Sequence, residues 1–159
     1  GTTGRLENNM RKLYVAYGSN LNLEQMAHRC PSASIYCVGQ LNNWELVYRG
    51  STFNSHATII RKHSSYVPVL LWNIEPTDEK RLDIYEGFPK YYYKQNVMVD
   101  IGGKKKKAMV YIMDQDQRPG RPSNAYIETI RQGYIDNELD LSIFEKSLER
   151  NSIECFSIL

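Results

Sequence analysis

Apolar and alternating runs along this chain predict a protein built mainly on β-strands. A first short strand is predicted over residues 12–17, and the loosely alternating segment 33–49 predicts either two strands that meet near Asn42 or one long bent strand. Two more strands are predicted over 57–61 and 67–74. Because the second of these is almost wholly apolar, we expect it to lie in the middle of the sheet.

The segment after residue 90 has the pattern of a β-hairpin. A strand is predicted over residues 91–101, Gly102 and Gly103 supply the turn, and a return strand follows over 108–113. Four consecutive lysines, residues 104–107, fall at this turn. They predict a solvated turn, and a patch that binds membranes or nucleic acids is the alternative.

Signals for helices lie between and after the strands. Asn22 predicts the start of a helix over residues 23–29. The Pro-Thr-Asp-Glu sequence at 76–79 predicts a second helix, which Gly87 ends. A third helix is predicted to begin at Ser123, because apolar residues recur after it at helical spacing.

A last helix completes a single predicted domain. The Ser-x-x-Glu sequence at Ser142 has the form of a capping box, and the tail after Arg150 is left unassigned. About six strands interrupted by short helices predict an α+β domain on a small, strongly curved mixed sheet, which spans residues 10–159. Residues 1–9 are polar and aperiodic, and we interpret them as a disordered lead-in or a remnant foreign to the native chain.

Composition restricts the class of protein. A net charge of +2 over 159 residues argues against a dedicated nucleic-acid binder, in which basic residues would dominate. The apolar runs are too short to span a bilayer, so we expect no membrane partner. The three cysteines lack the spacing of metal ligands, and their odd number favours a reducing, cytoplasmic location.

The Tyr-Gly-Ser-Asn-Leu segment at residues 17–21 is the first candidate site. It ends a strand abruptly in a glycine turn, just before a predicted helix. Successive backbone N–H groups in such a turn form a concavity that favours anions, and glycine lets a ligand approach the backbone. An ordinary strand-to-helix turn is the alternative.

Glu86 is the candidate acid or base. It lies at the C-terminal end of a predicted helix, where the helix dipole disfavours a negative charge, and its sequence neighbours are aromatic. Aromatic neighbours would also remove water from the carboxyl group. The helix dipole and this desolvation both raise the pKa of a carboxyl group toward the range that is useful for proton transfer. A glutamate at the surface end of a helix is the alternative.

Other catalytic patterns are missing from the sequence. The three histidines lack the spacing of a metal site, and neither a serine nucleophile elbow nor a phosphate-binding loop occurs. We therefore expect neither a metal nor an organic cofactor.

Four segments, in order along the chain, resemble the γ-glutamylcyclotransferase family. They are the Tyr-Val-Ala-Tyr-Gly-Ser-Asn-Leu turn at 14–21, Pro-Ser-Ala at 31–33 with Cys-Val-Gly-Gln-Leu at 37–41, Tyr-Glu-Gly-Phe-Pro at 85–89, and the strand at 108–113 with Pro-Ser-Asn-Ala-Tyr at 122–126. The resemblance extends from about residue 13 to residue 150.

This resemblance implies a small mixed β-barrel with flanking helices. It also implies an enzyme that converts a γ-glutamyl amino acid, peptide or amine to 5-oxoproline and the free amine. Glu86 would be the general acid/base, and the substrate α-carboxylate would lie against the turn amides. The substrate-binding residues that it implies are Tyr17, Gly18, Ser19, Asn20, Leu21, Tyr92, Tyr111 and Tyr126.

The chemistry of such a reaction agrees with the residues available. The substrate's own α-amine can attack its γ-carbonyl, so the enzyme needs no nucleophile and no cofactor. The alternative function is a non-catalytic small-ligand-binding or stress-response module on the same scaffold. Both a monomer and a homodimer are compatible with the sequence.

Overall fold

The computed structural model describes residues 10–157, so the predicted lead-in at 1–9 lies outside the described residues. Five strands close into a barrel in the order β1-β3-β2-β4-β5. Pairing is antiparallel except between β1 and β5, which run parallel. The predicted α+β fold with a mixed-sheet barrel is therefore confirmed. The strands are β1 Lys12–Ala16, β2 Ser34–Gly50, β3 Ser55–Ile74, β4 Tyr92–Ile101 and β5 Lys104–Met113.

Strands β2 and β3 form one long hairpin that crosses the barrel. For residues 33–49 the sequence left two alternatives, and the single bent strand is correct. Its pairing with β3 has a register shift between Asn42 and Trp44. The prediction of two separate strands over 57–74 is wrong, because β3 continues through the polar residues 62–65. There the Ser64 N–H donates to the Asn43 Oδ1 at 3.1 Å, which holds the irregular stretch against β2. Strand β3 pairs with β1 on one side and with β2 on the other. Because every strand of a closed barrel has two neighbours, this barrel has no middle strand of the kind that the sequence predicted.

The β4–β5 hairpin turns at Gly102 and Gly103, as the sequence predicts. Both glycines have positive φ values, 58° and 92°, which a two-residue hairpin turn requires. The lysines are not in the turn: residues 104–107 form the first half of β5 and are all exposed. The return strand thus begins four residues earlier than predicted, because pairing with β4 continues up to the glycines.

Among the described residues, four helices flank the barrel, and two of their predicted caps are confirmed. The Asn22 side chain accepts a hydrogen bond from the Gln25 N–H, and Ser123 accepts one from the Tyr126 N–H. No helix within residues 10–157 combines the length and the apolar character needed to cross a membrane. The helices are α1 Leu23–Arg29, α2 Pro76–Glu86, α3 Asn124–Asp136 and α4 Leu141–Ser157, and a short 3-10 turn occupies Ser19–Leu21.

The start of α4 differs from its prediction. Asp140, rather than Ser142, accepts the capping hydrogen bond, from the Ser142 N–H at 2.9 Å. The helix therefore begins before the predicted capping box. It continues through Ser157 and so includes residues 151–157 of the tail that the sequence left unassigned, while residues 158–159 lie outside the described residues.

The 3-10 turn is held between the barrel and α3. The Trp72 Nε1 on β3 donates to the Asn20 carbonyl at 3.0 Å. On the other side, a Cβ added to Gly133 of α3 would lie 2.6 Å from the Leu21 Cβ, so only glycine allows this close approach. Barrel and helix together fix the position of the turn.

Candidate active site

One cavity of about 760 Å³ lies between the 3-10 turn, the end of α2 and the end of the β2–β3 hairpin. Its size falls within the range of about 300–1,000 Å³ that is typical of small-molecule sites. It brings together eight of the nine predicted site residues: Tyr17, Gly18, Ser19, Asn20, Glu86, Tyr92, Tyr111 and Tyr126.

Leu21 is the predicted site residue that does not line the cavity. Its N–H donates to the Gly18 carbonyl at 3.0 Å, and its side chain is fully buried in the core. Within residues 10–157, by contrast, the backbone N–H groups of Ser19 and Asn20 donate to no protein acceptor. These are the first amides of the 3-10 turn, which a short helix leaves unpaired, and both residues line the cavity.

Gly18 is needed because the turn lies very close to β3. A Cβ on Gly18 would lie 3.2 Å from the Ala57 Cβ and 3.6 Å from the Tyr126 hydroxyl. A Cβ at this position would therefore fit only if the turn or β3 shifted by a few tenths of an ångström.

The Asn20 side chain organises the site from beneath the turn. It is buried, its Nδ2 donates to the Tyr14 hydroxyl at 2.9 Å, and its Oδ1 accepts from the Arg29 Nη1 at 2.7 Å. The same Arg29 nitrogen also donates to the Ser19 Oγ at 3.2 Å. Tyr14 and Arg29 both line the cavity, and sequence reasoning missed both as site residues. One feature of the sequence could have indicated Arg29: it is a cation in the last turn of the helix that follows the glycine turn.

Glu86 is the last residue of α2, as predicted, and is half-buried in the cavity wall. Protein atoms crowd its carboxyl, and this burial raises its pKa to about 7, although the Arg29 charge acts in the opposite direction. Gly87 follows it with φ 62° and ψ 39°, the left-handed conformation that ends the helix. The end of the helix thus fixes where the carboxyl lies.

Tyrosines from the barrel share the cavity with Glu86. Burial first, and then the Glu86 charge, raise the pKa values of Tyr14 and Tyr17. Tyr85, adjacent in sequence, is 56% exposed and stacks on Arg29 at 4.5 Å. The predicted elevation of the Glu86 pKa is present, and burial is its cause.

The tyrosine hydroxyls differ in whether their protons are free. Tyr17 donates to the Tyr111 carbonyl at 2.7 Å, and Tyr92 donates to the Ala57 carbonyl at 2.8 Å, so both protons are committed. The Tyr126 hydroxyl instead accepts from the Ala57 N–H at 2.9 Å. Tyr126 therefore keeps a proton that it can donate to a bound molecule.

Tyr14 and Tyr111 also differ in whether the hydroxyl proton is free. The Tyr14 hydroxyl accepts from Asn20 and so also retains a free proton. Tyr111 donates its proton to Asp83 Oδ1 at 2.5 Å, and Asp83 in turn pairs with Lys94. The Tyr111 hydroxyl is thereby held in an ion-pair cluster on α2 and β4.

The end of the β2–β3 hairpin and a neighbouring loop form the remaining wall. His56 stacks edge-on against Tyr126 at 5.1 Å, and burial together with the Arg29 charge lowers its pKa, which favours the neutral imidazole. Arg49 and Gln117 also line the cavity. The loop over 114–122 contributes Gln117 to the lining.

Comparison with known proteins agrees with this arrangement. Residues 14–129 match the family model described as gamma-glutamyl cyclotransferase, AIG2-like. The chain belongs to this family. The match includes the turn, Glu86 and Tyr126, and it makes the protein an enzyme of the γ-glutamylcyclotransferase type.

Individual relatives cover most of both chains. The human gamma-glutamylcyclotransferase is 30% identical over 146 residues, which cover 84% of this chain and 76% of the human protein. The bovine enzyme is 32% identical, over 89% of this chain and 78% of its own. A solved gamma-glutamyl cyclotransferase structure superposes with a TM-score of 0.76 at 31% identity and covers 86% of each chain.

Proposed function

We propose that this enzyme converts a γ-glutamyl amino acid, peptide or amine to 5-oxoproline and the free amine, with Glu86 as general acid/base. The observation that carries the proposal is the placement of a carboxyl group of pKa about 7 in the same cavity as the amides of Ser19 and Asn20. Family membership supports the reaction type.

The substrate would be held by the two charged groups on its α-carbon. Its α-carboxylate would accept from the unpaired amides of Ser19 and Asn20, with Arg29 providing a positive charge beside them. The α-ammonium would then face Glu86. Holding the amine against the γ-carbonyl in this way can supply about 7–11 kcal/mol of the barrier reduction through orientation.

The reaction balances without water or a co-reactant. The α-amine nitrogen attacks the γ-carbonyl carbon, which forms the ring C–N bond and a tetrahedral oxyanion. When this intermediate collapses, the bond to the leaving nitrogen breaks. The α-ammonium gives up two protons in total and the leaving nitrogen gains two.

Glu86 would carry these protons. A carboxyl group with a pKa of about 7 is populated in both forms near neutral pH, so it can accept a proton and later return it. The oxyanion needs a hydrogen-bond donor, and Tyr126 and Tyr14 each have a hydroxyl proton that no protein acceptor holds. Tyr17 and Tyr92 would instead hold the wall in place.

A cytoplasmic location is part of the proposal. Cys30, Cys37 and Cys155 are free thiols, which is the state expected in a reducing compartment. The cyclisation itself needs neither a metal nor an organic cofactor, because the nucleophile and electrophile belong to one substrate.

Glu86→Gln tests the proposal. With γ-glutamyl-L-alanine as substrate and 5-oxoproline as the measured product, we expect turnover to fall by about 10²- to 10⁴-fold, the usual contribution of general acid–base catalysis. Glu149→Gln is the matched control, because Glu149 is exposed on α4 and remote from the cavity. Near wild-type turnover in folded Glu86→Gln would reject the role assigned to Glu86.

A further inference from the structure

Arg49 is a charged residue of the cavity lining that the reaction described above does not use. It is half-buried near the C-terminal end of β2, and its Nη1 donates to the Gln115 carbonyl at 3.1 Å. Its Nε is buried and has no hydrogen-bond partner within residues 10–157. A buried donor is costly to leave unpaired, so a small shift of the Arg49 side chain that brings its Nε to a ligand oxygen in the cavity would relieve this cost.

The two arginines of the cavity are placed differently. Arg29 is hydrogen-bonded to Asn20 in the 3-10 turn, and its charge lowers the pKa of Glu86. Arg49 instead belongs to the β2–β3 hairpin, where it pairs in register with His56 and bridges to Pro119. Arg29 therefore serves the end of the cavity that would hold the glutamyl group, and Arg49 serves the wall that remains for the leaving group.

The charges of the cavity match one class of substrate. Its charged lining residues are two arginines and Glu86, and the pKa of His56 is lowered toward the neutral form. A γ-glutamyl amino acid carries two carboxylates and one ammonium. Glu86 would face the ammonium, the turn and Arg29 would face the first carboxylate, and Arg49 would be left for the second.

We propose that Arg49 binds the carboxylate of the leaving amino acid and thereby selects γ-glutamyl amino acids over γ-glutamyl amines that lack an acid group. The guanidinium plane presents its Nε and an Nη as parallel donors, which fit the two oxygens of a carboxylate. This inference rests on the proposed function, because it concerns the specificity of that reaction.

Two matched substrates test the selection. γ-Glutamyl-L-alanine and γ-glutamyl-L-alaninamide differ only in the charge of the leaving group. We expect the wild-type enzyme to prefer the acid by about 10- to 100-fold in kcat/KM, the range for a hydrogen bond to a charged group. Arg49→Gln should remove this preference by lowering kcat/KM for the acid and leaving the amide almost unchanged.

Two further variants separate specificity from structure. Arg118→Gln removes the same charge from an exposed position in the neighbouring loop and should leave the preference intact. Arg49→Lys keeps the positive charge but lacks the planar pair of donors, and an intermediate preference is expected. It replaces Arg49→Gln if that variant fails to fold.

The contrary outcomes are distinct. If Arg49 only holds Gln115 and its loop, Arg49→Gln will slow both substrates equally, and the inference is overturned. It is also overturned if the wild type turns over both compounds with equal kcat/KM. If the wild type releases 5-oxoproline from neither compound, the proposed function fails, and the role of Arg49 fails with it.

Discussion

Burial of Glu86 should make the stability of the protein depend on pH, and Glu86→Gln should remove that dependence. Burial raises the pKa of this carboxyl from 4.5 to about 7 in the folded state. Between these values the unfolded chain loses the proton while the folded protein keeps it, so the free energy of unfolding falls as pH rises. Below pH 4.5 both states are protonated, and above about pH 7 the whole penalty is present.

The size of the penalty follows from the shift. The pKa of Glu86 rises by roughly 2.5, and at 1.36 kcal/mol per pKa unit this gives about 3 kcal/mol as an upper value. Water that reaches the half-buried side chain lowers this value, and roughly 2–3 kcal/mol remains. Glutamine has the same shape without the charge, so the variant should gain this amount relative to the wild type between about pH 4.5 and pH 8.

Thermal unfolding at pH 4.5 and at pH 8 measures this gain in stability. For a chain of this size each kcal/mol corresponds to a change of about 2–4 °C in Tm, so Glu86→Gln should melt about 4–12 °C higher relative to wild type at pH 8 than at pH 4.5. Glu149→Gln should show no such pH-dependent difference. An equal Tm difference for Glu86→Gln at both pH values would refute the argument that burial keeps this carboxyl protonated. In the wild type, kcat/KM should rise with pH through about 7 as Glu86 becomes able to accept a proton.

Three further substitutions test how the site is held. Gly133→Ala puts a Cβ within 2.7 Å of the Leu21 carbonyl carbon, and the free energy of unfolding in urea should fall by about 1–3 kcal/mol, with a parallel loss of activity. Trp72→Phe leaves the buried Asn20 carbonyl without its donor and should cost about 1–3 kcal/mol in the same assay. Gly87→Ala imposes a φ of 62° on alanine and should cost about 1–2 kcal/mol, measured by thermal unfolding.

For each of these substitutions, one result would contradict the prediction. Gln132→Ala, at an exposed position of α3, is the control for Gly133→Ala, and equal stability of the two variants would show that α3 can move away from the turn. For Trp72→Phe, unchanged stability would mean that the hydrogen bond to the turn contributes little. For Gly87→Ala, unchanged stability and activity would mean that the end of α2 does not depend on the left-handed residue.

Features that depend on neighbouring residues were predictable from the sequence. The caps at Asn22 and Ser123 are hydrogen bonds to N–H groups three residues away. The position of Glu86 at the end of α2 follows from Gly87, which takes the left-handed conformation. The order of the motifs along the chain indicated the family, and the family model covers the same segments.

Features that depend on distant residues were predicted less well. The polar residues 62–65 indicated a break between two strands, but Asn43 holds this stretch against β2 and the strand continues. Asp140 replaced Ser142 as the cap of α4, since both residue types can accept the hydrogen bond and the sequence alone did not choose between them.

The sequence by itself determined the kinds of elements, two of the helix caps, and the presence of an acid and a glycine turn suited to this chemistry. The tertiary structure alone decided that Arg29, Arg49 and Tyr14 share the cavity, that Leu21 does not, and that Tyr126 keeps a free hydroxyl proton. The physical reason is closure of the barrel: its strands bring together side chains that lie tens of residues apart. Their burial and hydrogen bonds therefore depend on the mutual position of whole elements, which no local pattern encodes.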